Sequence, residues 1–160
     1  MDKGVYKRQD RLIKEKRKDV YREWGKMPEP GLCTECGALF LKGRWSWEKP
    51  TGETNKAVCP ACKRSADNFP AGRIEIKGEF FNEHREEILN LITNIEKQEK
   101  ERHPLERIMS VKDEDDYTLV TTTGIHIARR IGDALSGSYK GDYSFQYAEG
   151  DKSIRVYWQR

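Results

Sequence analysis

Four cysteines in two C-x-x-C pairs, Cys33/Cys36 and Cys59/Cys62, constrain this chain more than any other feature. They are all the cysteines of a 160-residue sequence, and they fall within thirty positions. Where thiols stay reduced, such pairs bind metal rather than close disulfides. Zinc takes four ligands in a tetrahedron, and each pair supplies two thiolates from one turn. Cys33, Cys36, Cys59 and Cys62 are therefore the expected ligands of one structural Zn2+ ion. Gly37 follows the second thiolate, where a tight turn disfavours a Cβ. The 22 residues from Gly37 to Val58 read as a hairpin. Strands are expected over 38–41 and 44–47, then a Pro50-Thr51-Gly52 turn and a return strand toward Val58. A ribbon of about 40 residues buries too little surface to fold alone, so the metal is what folds it. Rubredoxin-like iron uses similar pairs, but Lys63 rather than glycine follows the second pair here. A catalytic zinc needs an open position, which four thiolates do not leave. A redox dithiol needs one pair in a βαβ context.

The charge is uneven on either side of this module. Residues 1–28 carry ten Lys/Arg against five Asp/Glu, residues 29–72 six against five, and residues 73–160 fourteen against seventeen. This divides the chain into a basic N-terminal arm or helix (1–28), a zinc ribbon (29–72) and an α+β domain (73–160). A helix with a narrow apolar stripe is expected over 8–24, ended by Pro28 and Pro30. Such an arm suits an anionic surface, nucleic acid above all, or else a solvated tail. No run of about 18 apolar residues exists, so no membrane span is expected. The first residues lack the apolar stretch of a secretory signal, which makes the cytoplasm the expected location.

Residues 73–160 alternate strand and helix patterns. A strand over 73–80 shows Ile74 and Ile76 on one side. Asn82 is a candidate cap for a helix carrying Ile88, Leu89, Leu91, Ile92 and Ile95, with Glu83, Glu86 and Glu87 near its N-terminus. Strands near 106–112 and over 117–122 flank an acidic turn at 113–116. A second helix runs from Thr123 and Gly124 to about Ser138, with Ile127, Ala128, Ile131, Ala134 and Leu135 buried. Strands over 143–148 and 153–158 join through a Glu149-Gly150-Asp151 turn. The fold class is α+β, a zinc ribbon followed by a β-α-β-β-α-β-β domain. Its first six elements match a ferredoxin-like split βαβ, and the last strand is expected to extend the sheet as a hairpin.

No catalytic constellation stands out, so no enzyme and no small-molecule substrate are expected. His84, His103 and His126 are scattered, and there is no G-x-S-x-G or P-loop. His84, in line with Ile88 and Leu91, reads as a core-edge residue. Four consecutive acids at 113–116 cannot all face one ion and read as a solvated turn. His126, Arg129, Arg130 and Asp133 share one helix face. With Thr121, Thr122 and Thr123 before it, that helix N-terminus suits phosphate oxygens; the plain alternative is a polar face with an arginine paired to Asp133. Trp45 and Trp47, at i and i+2 beside Lys42 and Arg44, could stack on unpaired bases or form the ribbon's own small core. Trp158 reads as core or a docking contact.

Several segments carry a resemblance. Cys33-Thr34-Glu35-Cys36-Gly37, Lys42-Gly43-Arg44-Trp45, Cys59-Pro60-Ala61-Cys62-Lys63-Arg64 and Phe69-Pro70-Ala71-Gly72 resemble a bacterial family of small zinc-ribbon proteins. So do His103-Pro104-Leu105-Glu106-Arg107-Ile108 and the segment 120–132. More distantly, the paired C-x-x-C region and the segment Thr122-Thr123-Gly124-Ile125-His126-Ile127-Ala128-Arg129 look like the N-terminal half of the archaeal and eukaryotic export adaptor of the large ribosomal subunit. The resemblance implies a ribosome or rRNA partner. The residues read above for base stacking and phosphate contact, Lys42, Arg44, Trp45, Trp47, His126, Arg129 and Arg130, are then the expected RNA contacts. The alternative is a protein-interaction module with structural zinc, a protein partner and no nucleic-acid contact.

Overall fold

The computed structural model describes residues 27–148, 150 and 152–160. The expected helix over 8–24 lies outside the described residues, as do Glu149 and Asp151 of the expected 149–151 turn. The described chain is a mixed α+β structure with two sheets and four helices. No helix among the described residues is long and apolar enough to cross a membrane.

The cysteine module holds β1 (Gly31–Cys33), β2 (Leu39–Leu41), β3 (Arg44–Ser46), β4 (Asn55–Ala57) and the helix α1 (Pro60–Asp67). Strand order is β3-β2-β1-β4. β2 and β3 form the expected hairpin, but the return strand does not continue it. β4 instead pairs parallel with β1, Cys33 opposite Ala57. The reason lies in the knuckles: β1 leads into Cys33 and β4 toward Cys59. Laying the two strands side by side in one direction delivers both C-x-x-C turns to the same end.

The short helix α1 goes beyond the sequence reading. Cys59 is its N-cap, with its sulfur accepting from the Cys62 N–H, and Pro60 opens the first turn. Proline is suited there because that N–H has no helical partner anyway. Asn68 closes the helix with φ 51°, a left-handed cap.

The second sheet contains β5 (Gly72–Lys77), β6 (Ile108–Asp113), β7 (Thr118–Thr122), β8 (Asp142–Ala148) and β9 (Ser153–Gln159). The helices α2 (Glu79–Glu83), α3 (Arg85–Arg102) and α4 (Ile125–Tyr139) accompany it. Asn82 sits inside α2 rather than capping α3; the chain turns at His84, whose ring stacks on Phe80 at 4.0 Å and bonds the Phe80 carbonyl. Helices α3 and α4 bury Ile88, Ile92, Ile95, Ile127, Ala128, Ile131 and Leu135 in one cluster with Ile74, Ile76, Val120 and Trp158.

Strand order is β6-β7-β5-β9-β8. The last strand therefore does not extend the sheet. β9 enters between β5 and β8, parallel to β5 and antiparallel to β8. Burial explains the choice. Ile154, Val156 and Trp158 of β9 are fully buried, which demands neighbours on both sides. The corresponding side chains of β8 are Tyr143, Phe145 and Tyr147, two of which carry a hydroxyl that can reach water or a surface partner. Such residues suit an edge strand; Tyr143 OH donates to Asp133 at 2.8 Å.

Candidate metal centre

Cys33 ends β1, and the turn after it closes through the Gly37 N–H on the Cys33 carbonyl (3.0 Å). Gly37 has φ 81°, the left-handed geometry expected of it. The four sulfurs lie within 4.8 Å of one another. The Cys33–Cys62 separation is 3.8 Å and Cys36–Cys59 is 3.7 Å. A disulfide would need about 2.05 Å. Metal–sulfur bonds of about 2.3 Å in a tetrahedron place sulfurs about 3.8 Å apart, so the cluster fits one ion held by four thiolates.

Burial and neighbouring groups push the sulfurs in opposite directions. Burial works against the Cys33 thiolate, yet the Cys59, Cys36 and Glu35 backbone and the Cys36 side chain outweigh it and bring the thiol to about 7. Burial pushes the Cys59 and Cys62 thiols up, against the pull of the Cys62 N–H on Cys59 and of Arg107 on both. A tetrad without metal would thus keep protons on some sulfurs. A divalent ion bound there would take their place and release them.

Arg107 is the functional residue that sequence reasoning missed. Its guanidinium donates to Cys36 at 3.1 Å, Cys62 at 3.3 Å and Cys59 at 3.5 Å. Cys33, the remaining thiolate, accepts from the Cys59 N–H at 3.3 Å. Burial disfavours the Arg107 charge, but the Cys62 and Cys36 sulfurs more than offset it and hold its proton more firmly than usual. These contacts span 45 to 71 positions, so no local pattern announces them.

The loop carrying Arg107 is itself held in place. Pro104 follows the end of α3, where its ring and missing N–H rule out another turn. Arg107 Nε donates to the Pro104 carbonyl at 2.6 Å. Thr123 brackets the loop: its hydroxyl donates to the Leu105 carbonyl (2.6 Å) and accepts from the Arg107 N–H (2.8 Å). Glu106 is 7% exposed, and its carboxylate accepts from the Ile127 N–H at 3.3 Å. The α4 N-terminus expected to meet phosphate therefore already faces a carboxylate of the same chain. Gly124 makes that seat possible, because a Cβ there would overlap the Glu106 carboxylate. Gly124→Ala is expected to displace Glu106 and cost about 1–3 kcal/mol in a urea unfolding titration; a loss below about 0.5 kcal/mol would show that the loop yields freely.

The expected RNA contacts scatter. Lys42 and Arg44 are exposed beside the β2–β3 turn, where Lys42 has φ 55°. Trp45 is 8% exposed and packs on Phe40 with ring centres 5.2 Å apart, so it is core. Trp47 is 36% exposed, with the Arg107 guanidinium 5.7 Å from its ring centre and its indole N–H on the Lys100 carbonyl (2.6 Å). Arg129 stacks on Phe145 at 3.9 Å and bonds Asp133 at 3.4 Å. Arg130 pairs with Glu99 and bonds Gln98 at 2.8 Å, tying α4 to α3. His126 is exposed and joins Trp45, Arg102, His103 and Leu105 around a hollow of about 490 Å³. The structure thus brings Trp45 and His126 to one hollow that Lys42 and Arg44 do not line, and engages both α4 arginines internally. The chain matches no family model, no curated protein and no solved structure, so its site stands on its own geometry.

Proposed function

We propose that this protein is a cytoplasmic, non-enzymatic zinc-ribbon protein that binds rRNA or the ribosome, serving large-subunit assembly, quality control or protection under stress. In this reading the cysteine module is a zinc ribbon. The larger sheet is a split βαβ unit with β9 inserted. Zinc is favoured over iron because Lys63, not glycine, follows the second pair and the nearby sequence carries no electron-transfer signal; four thiolates leave no open position for catalysis.

The observation that carries the reading is the pair Lys42 and Arg44. Both are exposed and neither forms an ion pair among the described residues. The basic N-terminal arm, with ten Lys/Arg against five Asp/Glu, adds charge of the same sign. The resemblance to the ribosomal export adaptor points in the same direction.

Cosedimentation with ribosomes at low salt tests it. Binding is expected to fall about tenfold between about 50 and 200 mM salt for every two phosphates contacted. Lys42→Glu with Arg44→Glu should weaken binding by about tenfold or more, with metal content unchanged. No cosedimentation at low salt sinks the proposal. Reversing Arg129 and Arg130 is a poor probe, because it breaks the Phe145 stack and the tie to Glu99. A protein-interaction module is the second reading, favoured by β6, an edge strand among the described residues, with its exposed Val111. A partner retained through nuclease and high salt would support it.

A further inference from the structure

We infer that Arg107 makes metal loading of the four cysteines and docking of the cysteine module on the larger sheet a single event. The inference rests on the metal-bound reading of the cysteines and is independent of RNA binding.

The two parts have separate cores. Cys33, Ala38, Phe40, Trp45, Cys59 and Ala61 form one cluster, and the helices and strands of the larger sheet form the other. Several of the contacts that join them gather around one guanidinium. Arg107 reaches three of the four sulfurs from the far side of the junction. Trp47 of the cysteine module lies against the same guanidinium and donates to the Lys100 carbonyl at the end of α3. Leu105, two residues before Arg107, packs on the cysteine cluster.

Charge decides what these contacts require. Four thiolates around a divalent ion carry a net charge of roughly −2. One guanidinium offsets half of it and donates charge-assisted hydrogen bonds to the sulfurs. Without metal, nothing holds the sulfurs at the spacing that the guanidinium spans, so the junction loses its reason to close. Conversely, a metal centre without Arg107 keeps more uncompensated negative charge beside the larger sheet. The planar fork is specific here. It spans three sulfurs while Nε holds the Pro104 carbonyl, which a lysine ammonium on a flexible stem cannot reproduce.

Hydrogen exchange read by mass spectrometry on the full chain, with and without a zinc chelator, tests the coupling together with chelator competition on Arg107→Gln and Arg107→Lys. In the wild type, chelation should remove protection from the cysteine module and also from the Lys100–Arg107 segment, while β5 and β9 keep theirs. Arg107→Gln should bind zinc about tenfold more weakly or worse and show lowered protection at 100–107 even when loaded. Arg107→Lys should fall between. If β5 and β9 lose protection in Arg107→Gln, that variant has misfolded, and the wild-type comparison decides. A wild type that binds no zinc overturns the metal reading and the coupling with it. A wild type that binds zinc, but whose 100–107 segment stays protected on chelation, overturns the coupling alone. Wild-type affinity in both variants does the same.

Discussion

Cys59→Ala is expected to abolish stoichiometric metal binding and unfold the cysteine module while the five-stranded sheet stays folded. Cys59 is fully buried, caps α1 and accepts from Arg107 as well as from the Cys62 N–H. Three thiolates cannot complete the tetrahedral shell, and the sulfur that starts α1 is lost at the same time. Binding of structural zinc is worth roughly 10–16 kcal/mol in small zinc-folded peptides. The module's own apolar cluster cannot replace that, because among the described residues Phe40 and Trp45 are the large side chains buried in it. The larger sheet keeps its own core, from Ile74 and Phe81 to Trp158, which shares no residue with the cysteine cluster. Elemental analysis and hydrogen exchange of residues 31–67 check both halves. A Cys59→Ala protein with a protected cysteine module would show that the apolar cluster suffices without metal.

Trp158→Ala is expected to destabilise the five-stranded sheet by about 3–5 kcal/mol, the range for removing a buried large aromatic. Trp158 is 1% exposed. Its indole N–H donates to the Lys140 carbonyl at 2.6 Å, closing the end of α4 onto β9. For a domain with about 5–15 kcal/mol of total stability this is a large fraction. Trp47→Ala removes the same side chain type from a 36% exposed position and should leave that sheet's unfolding midpoint nearly unchanged. Urea titrations followed by far-UV circular dichroism compare the two. A Trp158→Ala cost under about 1 kcal/mol would mean that β9 is not held by this residue.

Much of this was legible in the chain before any coordinates. The period of Ile88, Ile92 and Ile95, and of Ile127, Ala128, Ile131 and Leu135, marks the inner faces of α3 and α4, because a helix that covers a sheet must bury one stripe. Alternation marks β5 and β9 in the same way. Less legible were partners. Periodicity says that β4 and β9 are strands, but it does not say which strand lies beside them. β4 joins β1 because two knuckles must meet at one site. β9 enters the middle because Ile154, Val156 and Trp158 are buried where the β8 aromatics are only partly so. The tryptophans show the same limit. Trp45 and Trp47 share a strand face by spacing, yet one ring lies on Phe40 while the other lies against Arg107 and the end of α3.

By itself, the sequence determined that four thiolates come as two turn-borne pairs, since C-x-x-C spacing is a local property of a tight turn. It also determined the apolar faces of both long helices. Only the tertiary structure decided what surrounds the sulfurs. Arg107 lies 71 positions from Cys36, and the route between them runs through a helix end at Pro104, a bracket at Thr123 and a carboxylate seated beside Gly124. Contacts of that range depend on how separate elements stack, which no local spacing encodes. The same stacking engages Arg129 and Arg130 with Phe145 and Glu99, leaving Lys42 and Arg44 as the expected RNA-contact cations without an ion pair among the described residues.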